Sequence, residues 1–179
     1  MLIKASDSCL TIIDVQTKLL ASMHAPEKAV ENTRKLLLGA QCFDVPCLIT
    51  EQNSGRLGPT APELNIPEGF PRHDKMHFAA MQDDGIAKSF KLLGRKQVIL
   101  TGLEAHICIL QTAAGLIEQD YDVFVVADAV MTRAPSSLEL ALARLREYGA
   151  NITTTEMVLF EWLERSNRSE FKDILPLIK

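Results

Sequence analysis

The sequence lacks the features that mark membrane-spanning and secreted proteins. No apolar run in its 179 residues approaches the roughly 20 residues that a transmembrane helix needs. Residues 1–4 lead almost directly into a predicted strand and show no signal-peptide pattern. We therefore expect a cytoplasmic protein with no membrane partner. The length predicts one domain that spans residues 1–179.

The sequence also lacks an excess of basic residues and any cluster of them. It has 19 Lys and Arg against 23 Asp and Glu, which gives a formal net charge of −4 at pH 7. Proteins that bind nucleic acids usually carry a basic patch that neutralises phosphates. The charge therefore argues against a nucleic-acid partner and favours a small-molecule substrate.

The four cysteines have no CxxC spacing, so the sequence predicts neither a disulfide scaffold nor a zinc site. Three of them, Cys9, Cys42 and Cys47, fall in predicted strands or at a helix end. We expect these three to be buried as small hydrophobic side chains.

The fourth cysteine lies in the stretch around which we expect the chemistry to be organised. The apolar residues 98–100 predict a buried strand, residues 101–102 open a turn, and a helix begins near His106. Cys108 therefore falls in the first turn of a helix that follows the carboxyl end of a strand, where parallel sheets bind ligands. The helix dipole there should favour the thiolate.

Strands and helices alternate along the rest of the chain. The predicted strands cover residues 8–14, 45–50, 98–100, 121–128 and 151–155, and the predicted helices cover 26–43, 83–93, 106–117, 135–148, 156–164 and 169–175. Such alternation implies βαβ units with right-handed crossovers. We predict an α/β fold, a three-layer αβα sandwich with a central, mainly parallel six-stranded sheet that is Rossmann-like.

One long segment interrupts this pattern. Glycines and prolines recur between Glu51 and Arg72 and predict a loop without regular structure, after which order resumes at Lys75. Long loops in compact domains are usually functional or disordered. Since this loop follows a strand at the expected ligand edge, we expect it to form a wall or cover of the site.

Three polar residues should meet at that edge: Asp14 after the first strand, Lys75 after the loop and Cys108 after the central strand. A cysteine nucleophile needs a proton acceptor and a positive charge that holds the thiolate. Asp14 suits the first role and the later protonation of the leaving group, and Lys75 suits the second. Backbone N–H groups in the turn 102–108 are candidate oxyanion donors.

These residues, in their local sequences 14–16, 72–78 and 101–108, resemble the isochorismatase-like superfamily of cysteine hydrolases. The segment from Thr50 to Thr60 is most similar to the isochorismatase-domain-containing proteins, whose substrate is unsettled. The resemblance implies a catalytic triad of Asp14, Lys75 and Cys108.

The resemblance further implies an oxyanion hole formed by the backbone N–H groups of Glu104 and Cys108, and a cis peptide bond between Leu103 and Glu104. It also implies a homo-oligomer, a dimer or tetramer. We expect the substrate to contact Gln16, Gln52 and His106.

Two departures from related enzymes refine the expected reaction. Nicotinamidases carry a metal-binding motif with histidine after the second strand, whereas this chain has no histidine there before His73. We therefore expect no metal and no cofactor. True isochorismatases lack the nucleophilic cysteine, so Cys108 favours hydrolysis of a C–N bond, in a small amide or ureide, through a thioester.

Each triad residue also has a purely structural interpretation. Cys108 is then an inert buried thiol, Asp14 caps a turn, and Lys75 is a surface lysine. In that case the chain is a non-catalytic oligomeric interaction protein that retains the hydrolase fold. A peroxide-sensing role for Cys108 is a third alternative, although no resolving cysteine is evident in the sequence.

Overall fold

The computed structural model describes residues 1–67 and 69–178 of the chain. The strands are β1 (Ser8–Ile13), β2 (Cys47–Gln52), β3 (Arg72–Lys75), β4 (Gln97–Leu103), β5 (Asp122–Met131) and β6 (Asn151–Thr153). The α-helices are α1 (Thr17–Leu20), α2 (Glu27–Cys42), α3 (Ser54–Leu57), α4 (Asp84–Leu93), α5 (Leu110–Ile117), α6 (Pro135–Tyr148), α7 (Thr155–Leu163) and α8 (Phe171–Ile178). A π-helical turn, Ala105–Ile109, joins β4 to α5.

The strands form one six-stranded sheet in the order β3-β2-β1-β4-β5-β6, and every pairing between these strands is parallel. This order is typical of doubly wound α/β folds, in which the chain reverses its direction of travel across the sheet beside the first strand. The predicted fold class is confirmed. Within the described residues, none of the helices is long and apolar enough to cross a membrane.

Helices cover both faces of the sheet. Leu10 and Ile12 of β1 pack in a core cluster with residues of α2, α7 and α8. Cys9 and Ile13 of the same strand point to the opposite face and pack in a cluster with residues of α4, α5 and α6. Because successive side chains of a strand alternate between faces, burial of both faces explains why β1 is a continuous apolar run.

The central strand is longer than the sequence predicts. β4 continues through Thr101 and Gly102 to Leu103, and β5 continues past Asp128 to Met131. The two extensions pair with each other after a register shift between Leu100 and Gly102, so the predicted turn at 101–102 and the predicted end of β5 are wrong. The extension brings the backbone of Gly102 against that of Ile13.

The segment from Glu51 to Arg72 contains more regular structure than a loop. β2 runs to Gln52, α3 follows it, and a 3₁₀ turn covers Pro62–Leu64. The short strand β3 then pairs in parallel with β2, with Lys75 opposite Gln52. The prediction of an irregular loop is therefore wrong for these parts, and β3 is the edge strand that carries Lys75 to the ligand edge of the sheet.

Candidate active site

The carboxylate of Asp14 lies at the carboxyl end of β1, fully buried. Its backbone has a positive φ of 52°, and its N–H donates to the carbonyl of Thr50 over 3.1 Å. The hydroxyl of Thr50 donates to Oδ1 over 2.7 Å, and the ammonium of Lys75 lies 2.8 Å from Oδ2. Both carboxylate oxygens are therefore held in place, one by a side chain of β2 and the other by a side chain of β3.

The ammonium of Lys75 is surrounded by acceptors although only 1% of the residue is exposed. Besides Asp14, Nζ donates to Oε1 of Gln52 over 2.6 Å and to the carbonyl of His77 over 3.3 Å. An ammonium has three N–H donors, and three acceptors face this one. Charge pairing and complete hydrogen bonding make the burial of a lysine tolerable.

Cys108 lies in the π-helical turn and is 4% exposed. Burial raises the pKa of its thiol to about 12, with the negative charge of Asp14 and hydrogen bonding to Asp14 acting in the same direction, while the positive charge of Lys75 lowers it. The prediction that the helix dipole favours a thiolate is not supported, because the cysteine precedes α5 and burial dominates. The structure thus pairs Asp14 with Lys75, and the charges of both act on the pKa of the buried Cys108 thiol.

The remaining cysteines match their prediction of burial only in part. Cys9 and Cys47 are buried, and burial raises the pKa of each thiol to about 12. Cys42 is half-buried at the end of α2. It is therefore the more accessible thiol for any reagent that does not enter a site.

The turn from β4 into the π-helical segment begins at Glu104. The Leu103–Glu104 peptide bond is trans, so the expected cis bond is wrong. Glu104 instead turns the chain with a left-handed backbone, φ 56° and ψ 61°, and its carbonyl accepts from the N–H of Ile107 over 2.8 Å. The backbone N–H groups of Glu104 and Cys108 belong to this turn, and their role as an oxyanion hole stays a prediction.

The side chains of Gln16 and Gln52 form hydrogen bonds within the protein. Nε2 of Gln16 donates to the carbonyls of Gly58 and Gln52 over 2.6 and 3.2 Å, and its Oε1 accepts from the N–H of Gln52 over 2.7 Å. Gln52 accepts from Lys75 and donates to the carbonyl of Met76 over 2.9 Å. These bonds hold β2, α3 and Lys75 together, and substrate contact by either glutamine stays a prediction.

Glu51, a buried acid that was not predicted as a site residue, holds the segment after β2 in place beside the site. Oε1 of Glu51 accepts from the N–H of Thr60 over 2.7 Å, and the backbone of Thr60 bridges to Gln16. Asn53 donates its N–H to the carbonyl of Lys75 over 3.0 Å. The first half of the predicted loop is thus ordered beside the site. Glu51 could not be predicted in this role, because in the sequence it resembles an ordinary charged loop residue.

A second charged cluster adjoins Cys108. Oε1 of Glu104 lies 2.8 Å from Nε of Arg133, and Oε2 lies 3.5 Å from Nδ1 of His106. Oε2 of Glu104 and Nδ1 of His106 are both buried, and neither has a hydrogen-bond partner among the described residues. His106 was predicted from the sequence, whereas the side chains of Glu104 and Arg133 were not, because nothing in the sequence pairs a residue after β4 with one after β5.

The candidate donors for a metal are scattered. Within residues 1–67 and 69–178, no three His, Cys, Asp or Glu side chains are grouped so that they could hold a metal ion. The carboxylate of Asp14 instead accepts hydrogen bonds from Lys75 and Thr50.

Comparisons with known proteins agree on one family. The profile of the Isochorismatase domain matches residues 8–157. Isochorismatase domain-containing protein 2 from Danio rerio is 37% identical over 172 residues, an alignment that covers 96% of this chain and 86% of that protein.

Solved structures share the fold over nearly the whole chain. MAR1 ribonuclease from Caenorhabditis elegans has a TM-score of 0.93 and 31% identity, over 99% of this chain and 92% of that one. YcaC from Pseudomonas aeruginosa, described with hexane-2,5-diol and covalent acrylamide, has a TM-score of 0.92 and 26% identity, over 98% and 91%. YcaC from Escherichia coli, described as an octameric hydrolase of unknown specificity, has a TM-score of 0.92 and 27% identity, over 99% and 89%.

The matched domain covers most of the chain, and the relative from Danio rerio exceeds 30% identity over almost all of it. The all-parallel sheet and its helices also superpose on isochorismatase-like structures. The chain belongs to the isochorismatase family and has the hydrolase fold of that family.

Proposed function

We propose that this protein is a metal-independent cysteine hydrolase that cleaves the C–N bond of a small amide or ureide. Asp14, Lys75 and Cys108 are the proposed catalytic residues. The observation that carries the proposal is the buried contact of 2.8 Å between Nζ of Lys75 and Oδ2 of Asp14, formed beside a thiol whose pKa responds to both charges. A structural role alone does not require a buried acid, a buried cation and a thiol at one sheet edge.

The first step joins the substrate to the enzyme. Burial raises the pKa of the Cys108 thiol to about 12, so the thiolate is disfavoured at pH 7 in the free enzyme. We therefore propose that the S–H proton passes to Asp14 as Sγ attacks the carbonyl carbon, so that no free thiolate accumulates. Lys75 keeps Asp14 in position and balances its charge before the transfer.

The attack converts the carbonyl oxygen into an oxyanion. Backbone N–H groups of Glu104 and Cys108 are the proposed donors to it, because both belong to the turn that carries the nucleophile. As the intermediate collapses, the C–N bond breaks and the carboxyl group of Asp14 gives its proton to the leaving nitrogen. The products of this half-reaction are an amine or ammonia and a thioester on Cys108.

Water completes the cycle. It attacks the thioester carbonyl while Asp14 accepts one of its protons, the C–S bond breaks, and Asp14 returns that proton to the sulfur. The second product is the free acid, and the enzyme regains a protonated Cys108. In this scheme every proton passes through Asp14, so no further acid or base is needed.

Two relatives support parts of this proposal. The covalent acrylamide in YcaC from Pseudomonas aeruginosa is an electrophile that carries a small primary amide, which suits a reactive nucleophile in that protein. The octameric YcaC from Escherichia coli supports a homo-oligomer here, a dimer, tetramer or larger assembly. Met76 and Phe78, which follow Lys75 and are 67% and 53% exposed, offer apolar surface for such an interface.

A small molecule is the proposed substrate even though one structural neighbour is called a ribonuclease. The net charge of −4 and the absence of a basic cluster in the sequence give no counterpart for a phosphate backbone. The single domain over residues 1–179 and the cytoplasmic location remain predictions from the sequence.

Covalent labelling tests the assignment of the nucleophile. The full chain, its C108A variant and its C42A variant are incubated with 2-chloroacetamide, and the labelled residue is identified by peptide mass spectrometry. We expect labelling of Cys108 in the wild type and in C42A, the control without the half-buried thiol. Ammonia release from a library of small amides and ureides is then measured for wild type and C108A.

Unlabelled Cys108 in the folded wild type, or amide turnover that C108A retains, would contradict the proposal. A near-ultraviolet circular dichroism spectrum of each variant checks that the fold survives. Absence of any Cys108-dependent turnover across the library would favour the non-catalytic interaction protein.

A further inference from the structure

The carboxylate of Glu104 connects two segments of the chain from inside the protein. Its side chain is 8% exposed, and Oε1 lies 2.8 Å from Nε of Arg133, two residues after β5. Oε2 lies 3.5 Å from Nδ1 of His106, and both of these atoms are buried. A buried carboxylate is tolerated where an opposite charge faces it. The groups that face this acid belong to the protein itself, and they tie the turn after β4 to the loop after β5.

The loop that carries Arg133 is itself held in place. The hydroxyl of Thr132 donates to the carbonyl of Ala134 over 2.6 Å, and the carbonyl of Thr132 accepts from the N–H of His24 over 3.0 Å. Helix α6 follows this loop and packs against the π-helical turn. The guanidinium therefore meets Glu104 from a fixed position.

The backbone of Glu104 has the conformation that most needs such support. Its φ of 56° and ψ of 61° are left-handed, a region that residues with a Cβ atom seldom adopt and that persists where the surroundings impose it. This conformation turns the chain from β4 into the π-helical segment. Because the ion pair holds the side chain of the same residue, it opposes rotation of that residue's backbone.

The two proposed oxyanion donors lie on opposite sides of these rotatable bonds. The N–H of Glu104 precedes its φ and ψ bonds, and the N–H of Cys108 follows them. A change in either angle therefore alters the direction of one donor relative to the other. Oxyanion donors act at about 2.7–3.1 Å, and a misplacement of about 1 Å can lower a rate about a hundredfold.

We propose that Glu104 and Arg133 are positioning residues for the oxyanion hole: their ion pair fixes the backbone angles of Glu104 and thereby the relative direction of the two donor N–H groups. This inference rests on the proposed function and extends it to two side chains that act without touching the substrate. Breaking the ion pair should slow a reaction that forms an oxyanion and spare one that does not.

Two reactions of Cys108 separate these effects without requiring the natural substrate. p-Nitrophenyl acetate acetylates the thiol through a tetrahedral oxyanion: the C–S bond forms, the bond to p-nitrophenolate breaks, and the S–H proton passes to Asp14. 2-Chloroacetamide alkylates the same thiol by displacing chloride from a saturated carbon, so no oxyanion forms. Both rates are measured at pH 8 in a C42A background, by p-nitrophenolate release and by mass spectrometry of the Cys108 peptide.

We expect R133M to lower the rate of acetylation by about 10- to 100-fold and to leave alkylation within about threefold of the reference protein. E104Q should slow acetylation in the same way. Its alkylation should not become slower, because the charge of Glu104 is among the causes that raise the pKa of the Cys108 thiol. R133K keeps the positive charge and should recover part of the acetylation that R133M loses.

The matched control is R144M, at an exposed arginine on α6, which should leave both rates unchanged. Unchanged acetylation in R133M and E104Q would overturn the proposal, as would an equal fall in both reactions, which indicates a purely structural role. R133K that behaves as R133M would also contradict it. Failure of the proposed function is distinguishable, because Cys108 of the reference protein then reacts with neither reagent.

Discussion

Lys75 and Asp14 form an ion pair of 2.8 Å in which neither side chain is more than 1% exposed. The two residues come from strands that are not neighbours, since β2 lies between β1 and β3. β2 also supplies the polar groups that complete the pair, the hydroxyl of Thr50 on Asp14 and the amide oxygen of Gln52 on Lys75. The pair therefore depends on the register of three strands and ties the site to the fold.

Removing one partner of this ion pair should destabilise the folded protein. In K75M the carboxylate of Asp14 stays buried without its cation, and we expect the free energy of unfolding to fall by about 3–5 kcal/mol. The double variant D14N/K75M should recover part of that loss, since no charge remains buried. Urea unfolding of the wild type, K75M and D14N/K75M measures these free energies.

The surface pair of Lys35 and Glu31 provides the control for this experiment. These residues are four apart on α2 with a contact of 3.0 Å, and the side chain of Glu31 is 62% exposed. K35M should change stability by less than about 0.5 kcal/mol. Equal losses of unfolding free energy in K75M and K35M would show that the buried pair contributes no more to stability than a surface pair.

Asp14 is predicted to have opposite effects on thiol ionisation and on turnover. Its charge and its hydrogen bonding raise the pKa of Cys108, so D14N should lower that pKa. Alkylation by 2-chloroacetamide at pH 8 then becomes faster, by about threefold for each unit that the pKa falls, because weaker nucleophilicity partly offsets the larger thiolate fraction. Amide hydrolysis is nevertheless lost, because the base and proton donor are gone. The control is E139Q, at an exposed acid on α6. Slower alkylation of Cys108 in D14N than in E139Q, or normal amide turnover in D14N, would contradict the role assigned to Asp14.

The sequence predicted those elements whose own residues carry the signal. Helix α6 was bounded by Pro135 and Gly149, which favour a helix start and a helix end, and its predicted range is confirmed. The continuous apolar run of β1 likewise predicted that strand from its own residues. The end of β1 at Ile13 places Asp14 at the ligand edge of the sheet. The residues within each of these two elements were sufficient to predict it, because no contact with a distant segment overrides their local preference.

Elements defined by distant partners could not be predicted in this way. β3 is a short edge strand of charged residues, so only its pairing with β2 reveals it, and only the resemblance raised Lys75 above an ordinary surface lysine. The pairing of Glu104 with Arg133 depends on the adjacency of β4 and β5. The high pKa of the Cys108 thiol depends on burial, which a helix-dipole argument from sequence does not include.

Gln52 should act on the reaction through Lys75. Q52L removes the acceptor 2.6 Å from Nζ and leaves part of a buried ammonium unsatisfied. We expect a loss of about 1–3 kcal/mol in stability and a lower kcat with little change in KM, since the substrate is not touched. Q41L, at an exposed glutamine on α2, is the control. A rise in KM at constant kcat would instead support the direct substrate contact predicted from sequence.

The reactivity of free Cys108 should increase steadily with pH. A raised pKa means that the thiolate fraction is small at neutral pH and grows as pH approaches about 12. The rate of alkylation in the absence of substrate should therefore rise about tenfold per pH unit between pH 7 and pH 9. Mass spectrometry of the Cys108 peptide in C42A measures this rate without interference. A plateau near pH 7 would show that the resting thiol is already ionised.

Gly102 of the central strand β4 packs against the backbone of Ile13 so closely that only glycine fits there. A Cβ atom at this position would lie 2.1 Å from the carbonyl oxygen of Ile13, and its φ is +125°. Ile13 is fixed by pairing on both sides and directly precedes Asp14, so neither backbone can move away. G102A should therefore lower the free energy of unfolding by more than about 3 kcal/mol and displace Asp14 from Cys108.

Gly55 offers a matched substitution, because a Cβ there meets nothing within 4 Å. G55A should leave stability within about 0.5 kcal/mol of the wild type, and hydrolysis should be unaffected. Thermal unfolding and ammonia release at a temperature where both variants are folded distinguish the two glycines. If G102A matched G55A in both measurements, the close approach of β1 and β4 would not be what sets the distance between acid and nucleophile.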